Sequence, residues 1–180
     1  MPPLDVVEKE LIPALDAVGE QYEKQIIFLP QLMNAAAASG AAFDEVRRVI
    51  GQSGAAGDGK GPIVLATVEG DIHDIGKNIV KTVLENYGFR VVDLGRDVPA
   101  ERVVEAVRQY GAKIVGLSAL MTTTVPSMEK TIARLHENGL HVPVIVGGAV
   151  LTPDYAKKIG ADYYAKDAKQ SADIAKSILG

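Results

Sequence analysis

Glu69-Gly70-Asp71-Ile72-His73-Asp74 places one imidazole among three carboxylates. An imidazole binds borderline metals well, and a carboxylate hydrogen-bonded to its other ring nitrogen fixes the tautomer and raises ligand basicity. Asp71, two residues before His73, suits that supporting role. No second histidine or cysteine lies at a zinc-ligand spacing, so a four-ligand protein cage is not expected. A single protein ligand suits a metal already held by a macrocycle. Solvated polar residues capping the next helix would read the same way, so this loop does not decide the matter alone.

Two further segments share its character. Ser118-Ala119-Leu120-Met121-Thr122-Thr123-Thr124 carries four hydroxyls and no charge, although such hydroxyls also bond their own backbone in ordinary turns. Gly147-Gly148-Ala149 lacks bulky side chains, which lets a ligand approach the backbone closely, as a tight turn would also require.

The elements around these segments give them a common position. Residues 51–61 read GQSGAAGDGKG, a linker between a helical region (1–50) and an α/β region (62–180). Leu4 to Val18 and Leu29 to Ile50 have helix-forming composition, with Pro13 and Gly40 expected to kink or break them. Beyond the linker, short apolar runs alternate with helical periodicity. Strands are expected at 63–68, 90–94, 113–117, 142–146 and 162–164. The face Ile79, Val80, Val83, Leu84, Tyr87 marks the first helix, and further helices are expected at 100–110, 126–138, 153–159 and 170–179. Gly88, Gly111, Gly139 and Gly160 stand where left-handed helix stops belong, and Pro126 and Pro153 suit first helical turns. Five βα units with near-continuous apolar strands predict a flavodoxin-like, five-stranded parallel sheet covered on both faces. Ligands bind such sheets beyond the carboxyl ends of the strands, near the point where strand order reverses. The three segments follow strands there.

Composition narrows the chemistry. The chain has no cysteine, which excludes disulfides, thiolate metal sites and cysteine nucleophiles. Nineteen Lys and Arg against 23 Asp and Glu give a formal charge of −4 with no basic face, so nucleic acid is not an expected partner. Apolar runs such as Pro62 to Val68 are too short to span a bilayer, and the first ten residues lack the basic start of a signal peptide. A soluble cytoplasmic protein with no membrane contact is expected.

The segment from Thr67 to Ile79, TVEGDIHDIGKNI, resembles the cobalamin-binding domain of methionine synthase and of the corrinoid proteins of methyltransferase systems. Its Asp-x-His-x-x-Gly signature falls on Asp71, His73 and Gly76, its Ser-x-Leu element on Ser118 and Leu120, and its Gly-Gly element on Gly147 and Gly148. The resemblance implies a cobalamin bound with its benzimidazole tail detached and buried, and His73 as the lower axial ligand to cobalt. It implies that Asp71 hydrogen-bonds His73 and that Thr124, where methionine synthase has serine, continues a proton relay to solvent. Ser118, Leu120, Gly147 and Gly148 would line the tail slot, and Asp74, Ile75, Gly76 and Thr122 would join the cofactor contacts. Tyr22 and Leu29, within Gly19 to Gln31, look like the helical cap over the upper face. The family's cap is usually a four-helix bundle, so the helices here are expected to form a partial one.

The resemblance implies a methyl carrier alternating between methylcobalamin and cob(I)alamin. Its partners would be methyl-donor and methyl-acceptor methyltransferase domains or subunits and a reductive-activation partner. Nothing forms a substrate site, so the chain is not expected to be catalytically complete alone. The 119–124 loop and the ending Tyr163 to Ala168 look closest to methionine synthase, hence methionine biosynthesis; the alternative is a free-standing corrinoid shuttle of a methanol or methylamine system. An adenosylcobalamin mutase subunit shares the signature but lacks such a cap. A cobalamin-dependent regulator would need a DNA-binding module, and a phosphoacceptor signalling domain gives no reason for His73.

Overall fold

The computed structural model describes residues 6–52 and 60–180. The chain divides into two compact units, a helical one of Met1–Asp58 with Glu85–Gly88, and an α/β one of Gly59–Leu84 with Phe89–Gly180. In the helical unit a π-helical turn, Val7–Leu11, leads into α1, Ile12–Glu23, and α2 spans Leu29–Gln52. Leu32, Ala36 and Phe43 recur on one face of α2 and are buried, as is Leu15 of α1. Pro13 sits in the first turn of α1, where its missing N–H costs nothing. Gly40, expected to break a helix, does not. It lies inside α2, and a Cβ there would stand 3.1 Å from Oδ1 of Asn86, whose Nδ2 donates to the Ala36 carbonyl at 2.7 Å. Close approach explains the glycine better than a break. Of the expected linker, residues 51–52 close α2, residues 60–61 open the first strand, and 53–59 lie outside the described residues, as do 1–5.

The α/β unit follows the expected alternation: β1 Lys60–Thr67, α3 Ile75–Asn86, β2 Phe89–Asp93, α4 Ala100–Tyr110, β3 Ile114–Ser118, α5 Val125–Glu137, β4 Val144–Gly147, α6 Pro153–Lys158, β5 Tyr163–Tyr164 and α7 Ala168–Leu179. All pairings are parallel, in the order β2-β1-β3-β4-β5. This is the flavodoxin-like order, with its switch point between β1 and β3. The first strand begins three residues earlier than expected because Lys60 and Pro62 pair with β2 across a register shift, which accommodates a proline that cannot donate. Gly88, Gly111, Gly139 and Gly160 all take positive φ, and the Gly111 N–H closes α4 on the Val107 carbonyl. Val64, Ala66 and Val68 of β1 pack with Val103, Met128 and Ile132 in a core on one sheet face. On the other face lie Ile63, Leu65 and Thr67. Among the described residues no helix is long and apolar enough to cross a membrane.

Candidate functional site

The loop after β1 is built around a buried carboxylate. Val68 is held on both sides, its N–H donating to the Ser118 carbonyl at 3.0 Å and the residue bridging to Val98. Gly70 then turns with φ 86°, and its N–H donates to Asp97 Oδ1 at 2.7 Å. The Asp97 N–H returns the contact to the Asp71 carbonyl at 2.9 Å. Asp97 itself has φ 53°, a conformation aspartate tolerates better than most side chains. This brace fixes Asp71, whose side chain is fully buried.

Asp71 accepts at both oxygens. Oδ1 takes the His73 N–H at 2.9 Å and faces His73 Nδ1 at 2.9 Å; Oδ2 takes the Leu120 N–H at 2.7 Å, the Met121 N–H at 3.3 Å and the Thr124 hydroxyl at 2.8 Å. Burial alone would raise the carboxyl's pKa. The His73 and Leu120 amides, the Thr124 hydroxyl and the imidazole outweigh it and hold the group well below the usual carboxylate range. An ionised carboxylate can only accept, so Nδ1 carries the proton and Nε2 keeps its lone pair in the neutral ring. The His73 side chain is 46% exposed, so that lone pair can reach a ligand. The β1 and β3 loops thus meet on one carboxylate at the switch point. Thr124 also approaches the Met121 carbonyl at 2.9 Å and is only 5% exposed; His73, Asp71 and Thr124, the residues of the expected relay, are joined in one hydrogen-bonded row.

The other expected residues divide. Ser118 lies in register with Gly147 on β4. Gly148 has φ 143°, and a Cβ there would fall 1.8 Å from the Ala119 carbonyl oxygen, so the protein's own backbone demands this glycine. Gly147 is looser, with its Cβ position 3.1 Å from the Ala165 oxygen. Thr122 is exposed in a 3-10 turn, and the Asp74 carbonyl accepts the Asn78 N–H at 2.9 Å as α3 begins. Tyr22, near the end of α1, is half-buried and Leu29 opens α2 exposed; in the same turn Ile26 and Phe28 are more exposed still. Sequence reasoning missed Asp97 and also Lys77. Lys77 is buried, and its ammonium meets Asp93 Oδ1 at 2.6 Å and Asn78 Oδ1 at 2.9 Å, pinning the start of α3 to the end of β2. Burial opposes ionisation of Asp93, but the Lys77 bond and the Gly95 amide keep its carboxyl below the ordinary range.

Three observations fit a corrin above this loop. Ile72, Ile75 and Leu120, the neighbours of His73 and Asp71 in the two loops, are 59%, 77% and 41% exposed, an apolar surround for a flat macrocycle. A Cβ on Gly76 would meet nothing within 4 Å, so the fold does not require this helical glycine, which costs about 1 kcal/mol against alanine. Among the described residues no three His, Asp or Glu are grouped to hold a metal ion, so a metal held through His73 would need ligands that these groups do not supply.

Comparison with known proteins agrees. One family model, described as B12 binding domain, matches residues 61–173, and a second with the same description matches residues 1–47. The chain is 44% identical over 179 residues to dimethylamine corrinoid protein 1 of Methanosarcina acetivorans, covering 98% of this chain and 84% of that one. It is 40% identical to trimethylamine corrinoid protein 1 of Methanosarcina mazei, over 98% and 83%. The solved methanol:cobalamin methyltransferase complex MtaBC from Methanosarcina barkeri contains a chain that superposes with TM-score 0.84 at 36% identity, over 98% of this chain and 67% of that one.

Proposed function

Since the chain belongs to the B12-binding domain family, we propose that it is a free-standing corrinoid methyl carrier, loaded by one methyltransferase subunit and unloaded by another. Its cofactor is cobalamin, and the methylamine corrinoid relatives favour a methylamine-type donor; the acceptor in this proposal is a thiol. These relatives also favour the shuttle over the methionine synthase reading drawn from the 119–124 and 163–168 segments. The physical reason is local: the first of those loops holds Asp71 through the Leu120 amide and the Thr124 hydroxyl, so its residues answer to the cofactor and say little about the donor.

The observation that carries the proposal is the buried Asp71 bonded to a half-exposed imidazole at the switch point. Bound cobalamin supplies a cobalt that accepts and releases a methyl group. The chain's part would be to hold that cobalt through Nε2 of His73, with Asp71 fixing the tautomer and ring plane and Leu120 and Thr124 holding Asp71. Ile72, Ile75 and Gly76 would seat the corrin; Ser118, Leu120, Gly147 and Gly148 would receive the tail. Asp74 and Thr122 would lie at its margin.

Reconstitution with cobalamin tests this. The protein should bind one equivalent, and electron paramagnetic resonance of the reduced Co(II) form should show splitting from one axial nitrogen. In His73→Gly the splitting should vanish while the cofactor stays bound. A variant that keeps the splitting would show that His73 is not the ligand, and a protein that binds no cobalt would end the proposal.

A further inference from the structure

Thr67 closes β1 one residue before the brace that carries the site, and it is fully buried. Its backbone is satisfied, the N–H donating to the Gly95 carbonyl and the carbonyl accepting the Val98 N–H, each at 3.0 Å. Its hydroxyl oxygen is buried and finds no hydrogen-bond partner among the described residues. A buried hydroxyl left unpaired destabilises the fold that contains it, whereas valine fills the same shape without that penalty. The described protein atoms therefore give no reason for threonine here.

The register shows what lies beside it. Thr67 pairs with Ser118 on β3, and Ser118 pairs with Gly147 on β4. Registered residues of a parallel sheet share a face, and this face is opposite the one where Val64, Ala66 and Val68 enter the main core. A hydroxyl, a second hydroxyl and a bare backbone thus form a row across three strand ends, from which the His73 and Leu120 loops spring. We infer that Thr67 is a cofactor-specificity residue: its hydroxyl hydrogen-bonds a polar atom of the cobalamin nucleotide tail, in the row it forms with Ser118 and Gly147. The inference rests on the cobalamin-carrier reading and adds a residue to it. A site built around a buried polar group discriminates against ligands that leave that group unpaired.

The test compares the full chain with Thr67→Val and Thr67→Ser, using cobalamin and cobinamide, the same corrin without the nucleotide. Thr67→Val should weaken cobalamin binding about tenfold, or ~1.4 kcal/mol, and change cobinamide binding less than about twofold, within the reach of lost packing alone. Thr67→Ser should restore most of the cobalamin affinity. Without cofactor, Thr67→Val should melt above the parent, since it removes an unpaired hydroxyl. Equal losses for both ligands would mean general damage and overturn the inference, as would unchanged cobalamin affinity or a lower melting temperature of the cofactor-free variant. A parent chain that binds no cobalamin sinks the carrier reading with it; a parent that binds cobalamin beside an indistinguishable Thr67→Val sinks this inference alone.

Discussion

His73 and the pair His136 and His141 stand at opposite edges of one parallel sheet, and among the described residues only the first is bonded to a buried carboxylate. His73 follows β1 at the carboxyl edge, whereas His136 ends α5 and His141 precedes β4 at the amino edge. The latter two stack, with centroids 5.8 Å apart and planes at 28°. They line an open groove of about 360 Å³ with Val142, Pro143, Asp162 and Tyr163. The nearby carboxylate of Asp162 accepts the Val144 N–H at 2.8 Å and so belongs to the sheet. Neither ring has a carboxylate partner among the described residues. A histidine becomes a directed ligand when a fixed, buried acceptor holds its other nitrogen. That acceptor is Asp71 at one edge; among the described residues the other edge has no equivalent.

The largest effect should come from removing what separates the two edges. Asp71→Ala leaves the His73 and Leu120 amides without their acceptor and the Thr124 hydroxyl with the Met121 carbonyl alone, and each buried donor left unpaired costs about 1–3 kcal/mol. Denaturant unfolding of the cofactor-free chain should register a loss of ~3–5 kcal/mol. A loss under about 1 kcal/mol would place the variant among ordinary substitutions and show that the loop does not depend on the carboxylate.

Acid sharpens the same point with a smaller effect. The Asp71 carboxyl is held below its ordinary range in the fold, so between the unfolded value near ~3.9 and the folded one the unfolded chain binds more protons. Its contribution to stability is fully present above that window and declines as pH falls through it. Stability of the parent should therefore drop more steeply below about pH 4 than that of Asp71→Asn, which has no such proton to take up. Parallel slopes would assign the acid sensitivity to other groups, the Lys77–Asp93 pair first among them.

Much of this edge was legible in the sequence because it depends on short-range pattern. Alternating periodicity located all five strands and the glycine stops located helix ends, but the order β2-β1-β3-β4-β5 was not legible, because right-handed crossovers fix the face each helix covers and not the point where strand order reverses. Asp71 and His73 are two residues apart, so their pairing is local. Asp97 was not legible: its bond to the Gly70 N–H joins residues 27 apart and depends on a positive φ that nothing in Arg96-Asp97-Val98 announces. The glycines show the same boundary. Gly148 and Gly76 both match the resemblance, yet only the packing reveals that the Ala119 carbonyl demands the first while the fold leaves the second unexplained.

The smallest effect expected is none at the amino edge. If an imidazole sufficed, the stacked pair would compete for cobalt or support its binding; if the buried carboxylate decides, exchanging both rings should leave the site untouched. His136→Gln with His141→Gln keeps polarity and approximate size at an open groove, and surface changes of that kind usually shift stability by less than about 0.5 kcal/mol. The stacking lost is between rings beside solvent, so little packing goes with it. Cobalamin stoichiometry and the axial-nitrogen splitting of the Co(II) form should match the parent in the double variant and be altered only when His73 changes. A double variant that loses bound cobalt or the nitrogen signal would break the comparison, because it would show ligation reaching the far edge of the sheet without a carboxylate to direct it.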